Sequence, residues 1–304
     1  MGQSGDHRPT AQSRPEASMT SGPEADRGTD AAELDAEEER KAHEEESLNA
    51  NTTHEVIRRK GAKELDRPIA ALAWSGLAAG LAMGLSLVAE GTLRAYLPDA
   101  PWRPLIAKFG YPVGFVAVIL GSQQLFTEKT LTPIVPLMAK RTREMLRRVL
   151  TLWGVVLIAN LTGAALFAWT AAATDVFSPE VKQSFEAIAR EAVGPTGWTL
   201  FARAIFAGWI IALMVWMLPA AESAELFVIV IMTWLVGVGH FAHIIVGSLE
   251  VFYLVARGGT TFDAYLLSYM LPTLGGNMVG GVTLVAALNH AQVTAGIRKP
   301  RAAE

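Results

Sequence analysis

The sequence of 304 residues contains no cysteine, so neither a disulfide framework nor thiolate chemistry is available to it. Its N-terminus also lacks a basic region followed by an apolar stretch, so we predict no signal peptide and expect the first apolar span to act as the insertion signal. The formal charge of -3 averages an acidic beginning with a mildly basic remainder, and it gives no indication of nucleic-acid binding.

Apolar residues are abundant once the polar beginning of the chain is set aside. The hydrophobic share is 51% overall, although roughly the first 65 residues are highly polar. Residues 1–62 are rich in Pro, Gly, Ser and acid, which predicts a disordered acidic cytoplasmic tail. We interpret residues 63–290 as a transmembrane transport domain and residues 291–304 as a short basic cytoplasmic tail.

Six apolar spans are each near the ~20 residues that cross the hydrocarbon of a bilayer. They cover about 68–90, 105–122, 147–173, 200–219, 225–241 and 263–288. An even number of crossings places both termini on one side, and the clusters of Lys and Arg that flank the spans make that side cytoplasmic. The loop of about 174–199 mixes acids and bases, as an amphipathic segment on the outside would.

The two halves of the membrane part contain similar short sequences. ANLTGA at 159–164 resembles GNMVGG at 276–281, Gly121-Ser122 parallels Gly247-Ser248, and Ala79-Gly80 parallels Ala207-Gly208. Three spans in each half give the halves opposite orientations in the membrane, as in inverted repeats with a binding site near the midplane. The alternative is plain helix packing through small residues, which explains most of these glycines.

Ionisable and helix-breaking residues interrupt the apolar pattern twice. GHFAHIIVGSLEVF at 239–252 places His243 at membrane depth, where an ionisable group usually faces a cavity or a partner. The stretch 121–140 is too polar for lipid and contains two prolines, which indicates a loop folded into the protein. In that loop Leu125 and Phe126 are candidates for an apolar constriction and Thr127 for a ligand-binding hydroxyl; ordinary core packing and helix capping are the alternatives.

With these motifs the sequence resembles the formate/nitrite transporter family. LFTEKTLTP at 125–133 is similar to the family's re-entrant loop, FAHIIVGSLEVF at 241–252 to its interrupted fifth helix and GGNMVGG at 275–281 to its sixth. The resemblance implies an all-α, aquaporin-like membrane protein, with six transmembrane helices in two inverted three-helix repeats whose second and fifth helices are interrupted. It also implies a homopentamer in which each protomer has its own pore.

The same resemblance implies roles for individual residues. His243, Thr127 and Asn277 take the places of permeation and proton exchange, while Phe115, Leu125, Phe126, Val215 and Val236 are the predicted pore constrictions. Two positions depart from the family's formate channels, with Thr196 in place of a lysine and Ala212 in place of an asparagine. Arg203 is a candidate substitute for the missing positive charge, and snorkelling to the interface is its ordinary alternative.

We therefore expect a channel or transporter in the inner (plasma) membrane for small monovalent anions of weak acids: formate, nitrite, hydrosulfide or a short carboxylate. A central histidine suits proton exchange with the permeant because its ordinary pKa is near 6.5. The alternatives are a neutral-solute channel, against which the absence of Asn-Pro-Ala counts, and a non-transporting sensor or scaffold. An intramembrane metalloenzyme on His240, His243 and Glu250 has little support without HExxH, so we predict no enzyme activity, no cofactor and no metal.

Overall fold

A computed structural model describes residues 51–195, 197–288 and 291. The regular secondary structure within these ranges consists of helices, which turns and short loops connect. In the first half the helices are α1 (51–65), α2 (Ile69–Ala82), α3 (Gly84–Tyr96), α4 (Arg103–Ala107), α5 (Pro112–Leu120), α6 (Ile134–Lys140) and α7 (Arg143–Ala173). Short 3-10 turns follow α4 at Lys108–Gly110 and precede α6 at Glu128–Thr130.

The second half begins with an amphipathic helix outside the apolar spans. Its helices are α8 (Pro179–Val193), α9 (Gly197–Ala221), α10 (Glu225–Val238), α11 (Ile244–Ala256), α12 (Phe262–Ala264) and α13 (Leu271–Val279). Wider π-type turns, Tyr265–Met270 and Gly280–Ala287, precede and follow α13. Ser178 caps α8, and Phe185 and Ile188 on that helix are buried while Glu180 is exposed, which confirms the predicted amphipathic character of the loop at 174–199.

Within the described ranges, four helical stretches are long and apolar enough to cross a membrane. They are Ile69–Tyr96, Arg103–Leu120, Arg143–Ala173 and Gly197–Ala221. The predicted fifth span, about 225–241, corresponds to α10, and α11 follows it after a break; both helices are apolar and each is shorter than a bilayer needs. The predicted sixth span corresponds to the helical residues 262–288, where α and π turns alternate.

The helical region begins earlier than the sequence predicts. We expected a tail up to residue 62, but α1 covers residues 51–65, and Ile57 on it is only 1% exposed. Gly61 brings this helix against the main chain of Thr132, because a Cβ at Gly61 would lie 1.9 Å from the Thr132 carbonyl oxygen. Residues 51–62 therefore pack with the membrane part, and the rest of the predicted tail lies outside the described residues.

The internal repeat is visible in the backbone. After α5, Ser122 takes a left-handed conformation with φ of 52°, and after α10, His240 does the same with φ of 50°. The hydrogen bonds that end the two helices correspond, since Gln123 N–H donates to Val118 and Phe241 N–H donates to Val236. Around the two helix breaks, equivalent positions are thus 118 residues apart.

This register corrects one of the predicted pairings. Gly121-Ser122 corresponds to Gly239-His240, and its predicted counterpart Gly247-Ser248 lies inside α11. The prediction was wrong because a Gly-Ser pair carries too little information to fix a register.

Glycines allow two pairs of helices to touch through their backbones: α2 with α7 in the first half, and α9 with α13 in the second. A Cβ at Gly80 would lie 2.1 Å from the carbonyl oxygen of Asn160, and one at Gly208 would lie 2.3 Å from that of Asn277. These two contacts confirm the predicted pairing of Gly80 with Gly208 and of ANLTGA with GNMVGG. No larger side chain fits either crossing without a shift of backbone.

We predict that Gly208→Ala lowers stability by about 1–3 kcal/mol, the usual cost of overpacking, because its methyl group meets main-chain atoms. Gly154→Ala is the matched control, since a Cβ there has no atom within 4 Å. Thermal unfolding of both purified variants in detergent measures the difference. Equal stability of the two variants would contradict this account of the crossing.

Candidate functional site

The first interrupted helix is held open by one asparagine. Between α5 and the 3-10 turn at Glu128–Thr130 the chain runs without a regular helix, and Asn160 on α7 is buried beside it. Its Oδ1 accepts a hydrogen bond from Phe126 N–H at 2.8 Å, and its Nδ2 donates to the carbonyls of Gly76 at 2.7 Å and Gln124 at 2.8 Å. All the hydrogen-bonding capacity of this amide except one lone pair is therefore used on backbone groups.

Asn277 makes the corresponding bonds in the second half. Its Oδ1 accepts from Ile244 N–H at 2.8 Å, and its Nδ2 donates to the carbonyls of Ala204 and Ala242, both at 2.8 Å. We call Asn160 and Asn277 the asparagine clamps. Their placement follows from the ANLTGA and GNMVGG repeat, because the same residue at the same crossing meets the same break.

His243 occupies the residue before α11 and caps that helix with its side chain. Its Nδ1 accepts from the backbone N–H groups of Ile245 and Val246, each at 3.3 Å. An atom that accepts two hydrogen bonds has no proton, so a neutral ring holds its proton on Nε2. Nε2 lies 2.8 Å from the Thr127 hydroxyl oxygen, and that bond joins the two breaks directly.

Phe115 contacts the same imidazole. The two rings meet edge to face with centroids 5.0 Å apart, and both side chains are buried. Leu125 and Phe126 are also buried, and by the repeat register Leu125 is the counterpart of His243. Val215 is buried on α9. A pore-lining role for Leu125, Phe126 and Val215 stays a prediction.

A cavity of about 60 Å³ reaches His243 from the side of α8. His240, Val236 and Arg203 line it together with His243, so the structure brings together four residues that the sequence singled out. Ala212 is buried on α9, and Thr196 lies outside the described residues. We define this cavity as the vestibule.

Charged side chains that the sequence analysis passed over surround the vestibule. Lys108 Nζ bonds to a carboxylate oxygen of Glu90 at 2.5 Å, and Arg94 bonds to Glu191 at 2.6 Å. Glu90 and Lys108 stand at the ends of the first two predicted spans, where opposite charges in neighbouring spans are a recognisable signal for a pair. Glu250 on α11 is a further carboxyl that lines the vestibule, and it is 8% exposed.

A second buried ion pair, between Glu64 and Lys129, connects the re-entrant loop to α1. Glu64 on α1 accepts hydrogen bonds from Lys129 at 2.6 Å and from the Thr132 hydroxyl at 2.5 Å. Trp153 on α7 donates its indole N–H to the Lys129 carbonyl at 2.7 Å. The loop that carries Thr127 is thus held by α1 and α7 as well as by the first asparagine clamp.

These features define an all-helical membrane protein in which two broken helices meet around a buried imidazole. The sequence model of the formate/nitrite transporter family matches residues 51–291. Inner membrane protein YfdC of Escherichia coli (strain K12) is 40% identical over 285 residues, which cover 92% of this chain and 92% of YfdC.

Solved structures give the same fold. A pentameric formate channel with formate bound superposes with a TM-score of 0.62 at 19% identity, over 78% of this chain and 99% of that one. An FNT family ion channel superposes with a TM-score of 0.64 at 18% identity, over 80% and 98%. The chain belongs to the formate/nitrite transporter family, whose members are membrane transporters and channels, and it has that family's aquaporin-like fold.

We predict that Glu64→Gln destabilises the protein by about 1–3 kcal/mol, because it removes the closer of the two carboxylates that pair with the buried Lys129 ammonium and leaves only Glu128, at 3.6 Å. Glu55→Gln is the control on the same helix, where the ion pairs with Arg58 and Arg59 lie in solvent, and we expect no measurable loss. Chemical unfolding in detergent at pH 7 compares the two variants. A small loss in Glu64→Gln would show that the ion pair does not hold α1.

The same ion pair predicts a dependence of stability on pH. Burial raises the pKa of Glu64, but the Lys129 ammonium, the Thr132 hydroxyl and Lys60 outweigh it and hold that pKa below the ordinary value of 4.5. A carboxyl whose pKa falls on folding stabilises the folded state fully above its unfolded pKa and loses that contribution as the pH falls through the folded pKa. The stability difference between wild type and Glu64→Gln should therefore shrink below pH 4.5, as acid titrations of both proteins would measure.

Proposed function

We propose that the protein conducts small monovalent anions of weak acids, such as formate, nitrite, hydrosulfide or a short carboxylate, across the inner membrane. Family membership supports transport, and the name of the relative YfdC supports the inner membrane. The pentameric channel with the same fold supports a homopentamer with a pore in each protomer. Both termini are cytoplasmic in this proposal, as the distribution of Lys and Arg predicts.

The observation that carries the proposal is the bond between His243 Nε2 and the Thr127 hydroxyl. It places a transferable proton where the two half-helices meet, at the end of the vestibule. A bare anion is costly to move through a dry constriction, whereas its protonated form is neutral and crosses cheaply. In this proposal His243, assisted by Thr127, takes up a proton from water in the vestibule, gives it as an imidazolium to the permeant anion, and so returns to the neutral ring.

Arg203 is the side chain that attracts the anion in this proposal. Lys108 and Arg94 are already neutralised by Glu90 and Glu191. Arg203 lines the vestibule, and no ion pair engages it within the part of the chain that the structure describes. It therefore supplies the net positive charge that the position of Thr196 lacks.

Uptake by proteoliposomes tests the function itself. Radiolabelled formate, nitrite and acetate are offered with the interior at pH 7.5 and the exterior at pH 5.5 and 7.5, and empty liposomes serve as the control. We expect faster uptake at the lower external pH, because protons accompany the anion. Osmotic swelling with glycerol but no uptake of any weak acid would favour the neutral-solute alternative instead.

We predict that His243→Asn reduces pH-dependent anion uptake on the order of 100-fold, the lower end of what a positioned acid contributes to a proton transfer. Asparagine accepts hydrogen bonds as a helix N-cap, so the start of α11 and the assembly should survive. His243→Phe removes the cap as well, and we expect it to lose about 1 kcal/mol of stability besides activity. Unchanged pH-dependent uptake by His243→Asn would rule out proton exchange at this residue.

A further inference from the structure

Glu250 is a buried acid that no structural bond explains. It lies two helical turns after His243 on α11, and both side chains line the vestibule. The residue is 8% exposed, and no hydrogen bond or ion pair engages its carboxyl among the residues that the structure describes. The carboxyl therefore opens into the vestibule.

The basic side chains near Glu250 either form an ion pair with another carboxylate or form none with Glu250. The charged side chains that face it are Glu90 from α3, Lys108 from the turn after α4 and Glu191 from α8. Lys108 is bonded to Glu90, and Arg203 lines the same vestibule without forming an ion pair to Glu250. The other titratable groups that line the vestibule, His240, Tyr111 and Tyr269, make no bond to the Glu250 carboxyl either.

The carboxyl groups of Glu90, Glu191 and Glu250 thus lie close together, and the lysine among them, Lys108, is already paired with Glu90. A buried carboxylate without a partner is costly, and the proton is the one partner that needs no further side chain. His243 can hold a second proton only by giving up the cap on α11, because its Nδ1 accepts from two backbone N–H groups. An acid that protonates the anion earlier therefore shortens the time for which His243 must carry that proton.

We propose that Glu250 is a second proton-exchanging residue, which protonates the weak-acid anion in the vestibule before the anion reaches His243. This inference rests on the proposed function. The O–H bond of Glu250 breaks as the O–H or S–H bond of the permeant acid forms, and the carboxylate left behind faces Lys108. A proton that enters from the bulk as hydronium, relayed by water in the vestibule, then reprotonates Glu250. The neutral acid passes Phe115 and His243 without carrying charge into the dry constriction.

The uptake assay separates a proton-exchanging role from a structural one. Glu250→Gln keeps the volume and the hydrogen-bonding shape but cannot release a proton at neutral pH. We expect formate uptake to fall on the order of 100-fold and to lose its dependence on external pH. Glu250→Asp keeps a titratable carboxyl, so it should retain the dependence on pH at a lower rate.

Glu186→Gln is the control, because Glu186 pairs with Arg190 in solvent on the same side of the protein and should leave uptake unchanged. Size-exclusion chromatography checks the assembly of each variant. Glu250→Gln with wild-type rate and pH profile would overturn the inference while leaving the transport function intact. Wild-type liposomes that take up no weak acid would instead overturn the proposed function.

Labelling of the wild-type protein tests the proton on Glu250 without any variant. Dicyclohexylcarbodiimide reacts with protonated carboxyls in apolar surroundings, and mass spectrometry locates the adduct. At pH 7 we expect labelling at Glu250 but not at Glu90, which Lys108 holds in an ion pair. Formate should slow the labelling. Failure to label Glu250, with labelling elsewhere in the chain, would overturn the inference even if Glu250→Gln does not assemble.

Discussion

The constraint on which this structure depends is that backbone groups at a helix break inside a membrane must find partners within the protein. The asparagine clamps supply them, since each amide accepts from one N–H and donates to two carbonyls. One of those carbonyls belongs to the first membrane-spanning helix of the same half, namely Gly76 on α2 or Ala204 on α9. The clamps therefore need the helices to cross closely, which the glycines at the crossings allow.

His243 meets the same constraint, because one of its ring nitrogens accepts hydrogen bonds from backbone N–H groups at the start of α11. Nδ1 completes the start of α11, and only Nε2 is left for chemistry. The two bonds to Nδ1 hold the ring in one orientation, which fixes the direction in which its Nε2 proton points. The structural task thus narrows the chemistry to a single bond, the one to Thr127.

The sequence predicted the membrane class and both helix breaks, because polar residues stand out within apolar spans, and the family resemblance implied that His243 and Thr127 belong to one site. It placed Asn277 near the site but not Asn160, although the repeat contained both. The pairing of Gly121-Ser122 failed because the left-handed turn at Ser122 has His240 as its counterpart, and these residue types share no pattern. Helix α1 escaped notice since its polar surface resembles that of the tail before it.

Buried charges were harder to predict than the breaks. Glu90 and Lys108 lie 18 residues apart on different helices, and neither one alone indicates that the other neutralises it. Glu250 was considered only as a metal ligand. Among the described residues its carboxyl makes no hydrogen bond, and this environment depends on three helices and a turn packing together, which no local pattern in α11 encodes.

The twofold relation between the halves breaks at one pair of residues, since Leu125 stands where the other half has His243. Both lie just after a break, each beside its own asparagine, yet one is aliphatic and the other is an imidazole. In the proposed transport, a solute that arrives past Leu125 meets hydrocarbon first, while one that arrives from the vestibule meets a hydrogen-bonding ring first. The symmetry of the scaffold thus does not extend to these two side chains, and under that proposal the order of desolvation and proton transfer reverses with the direction of travel.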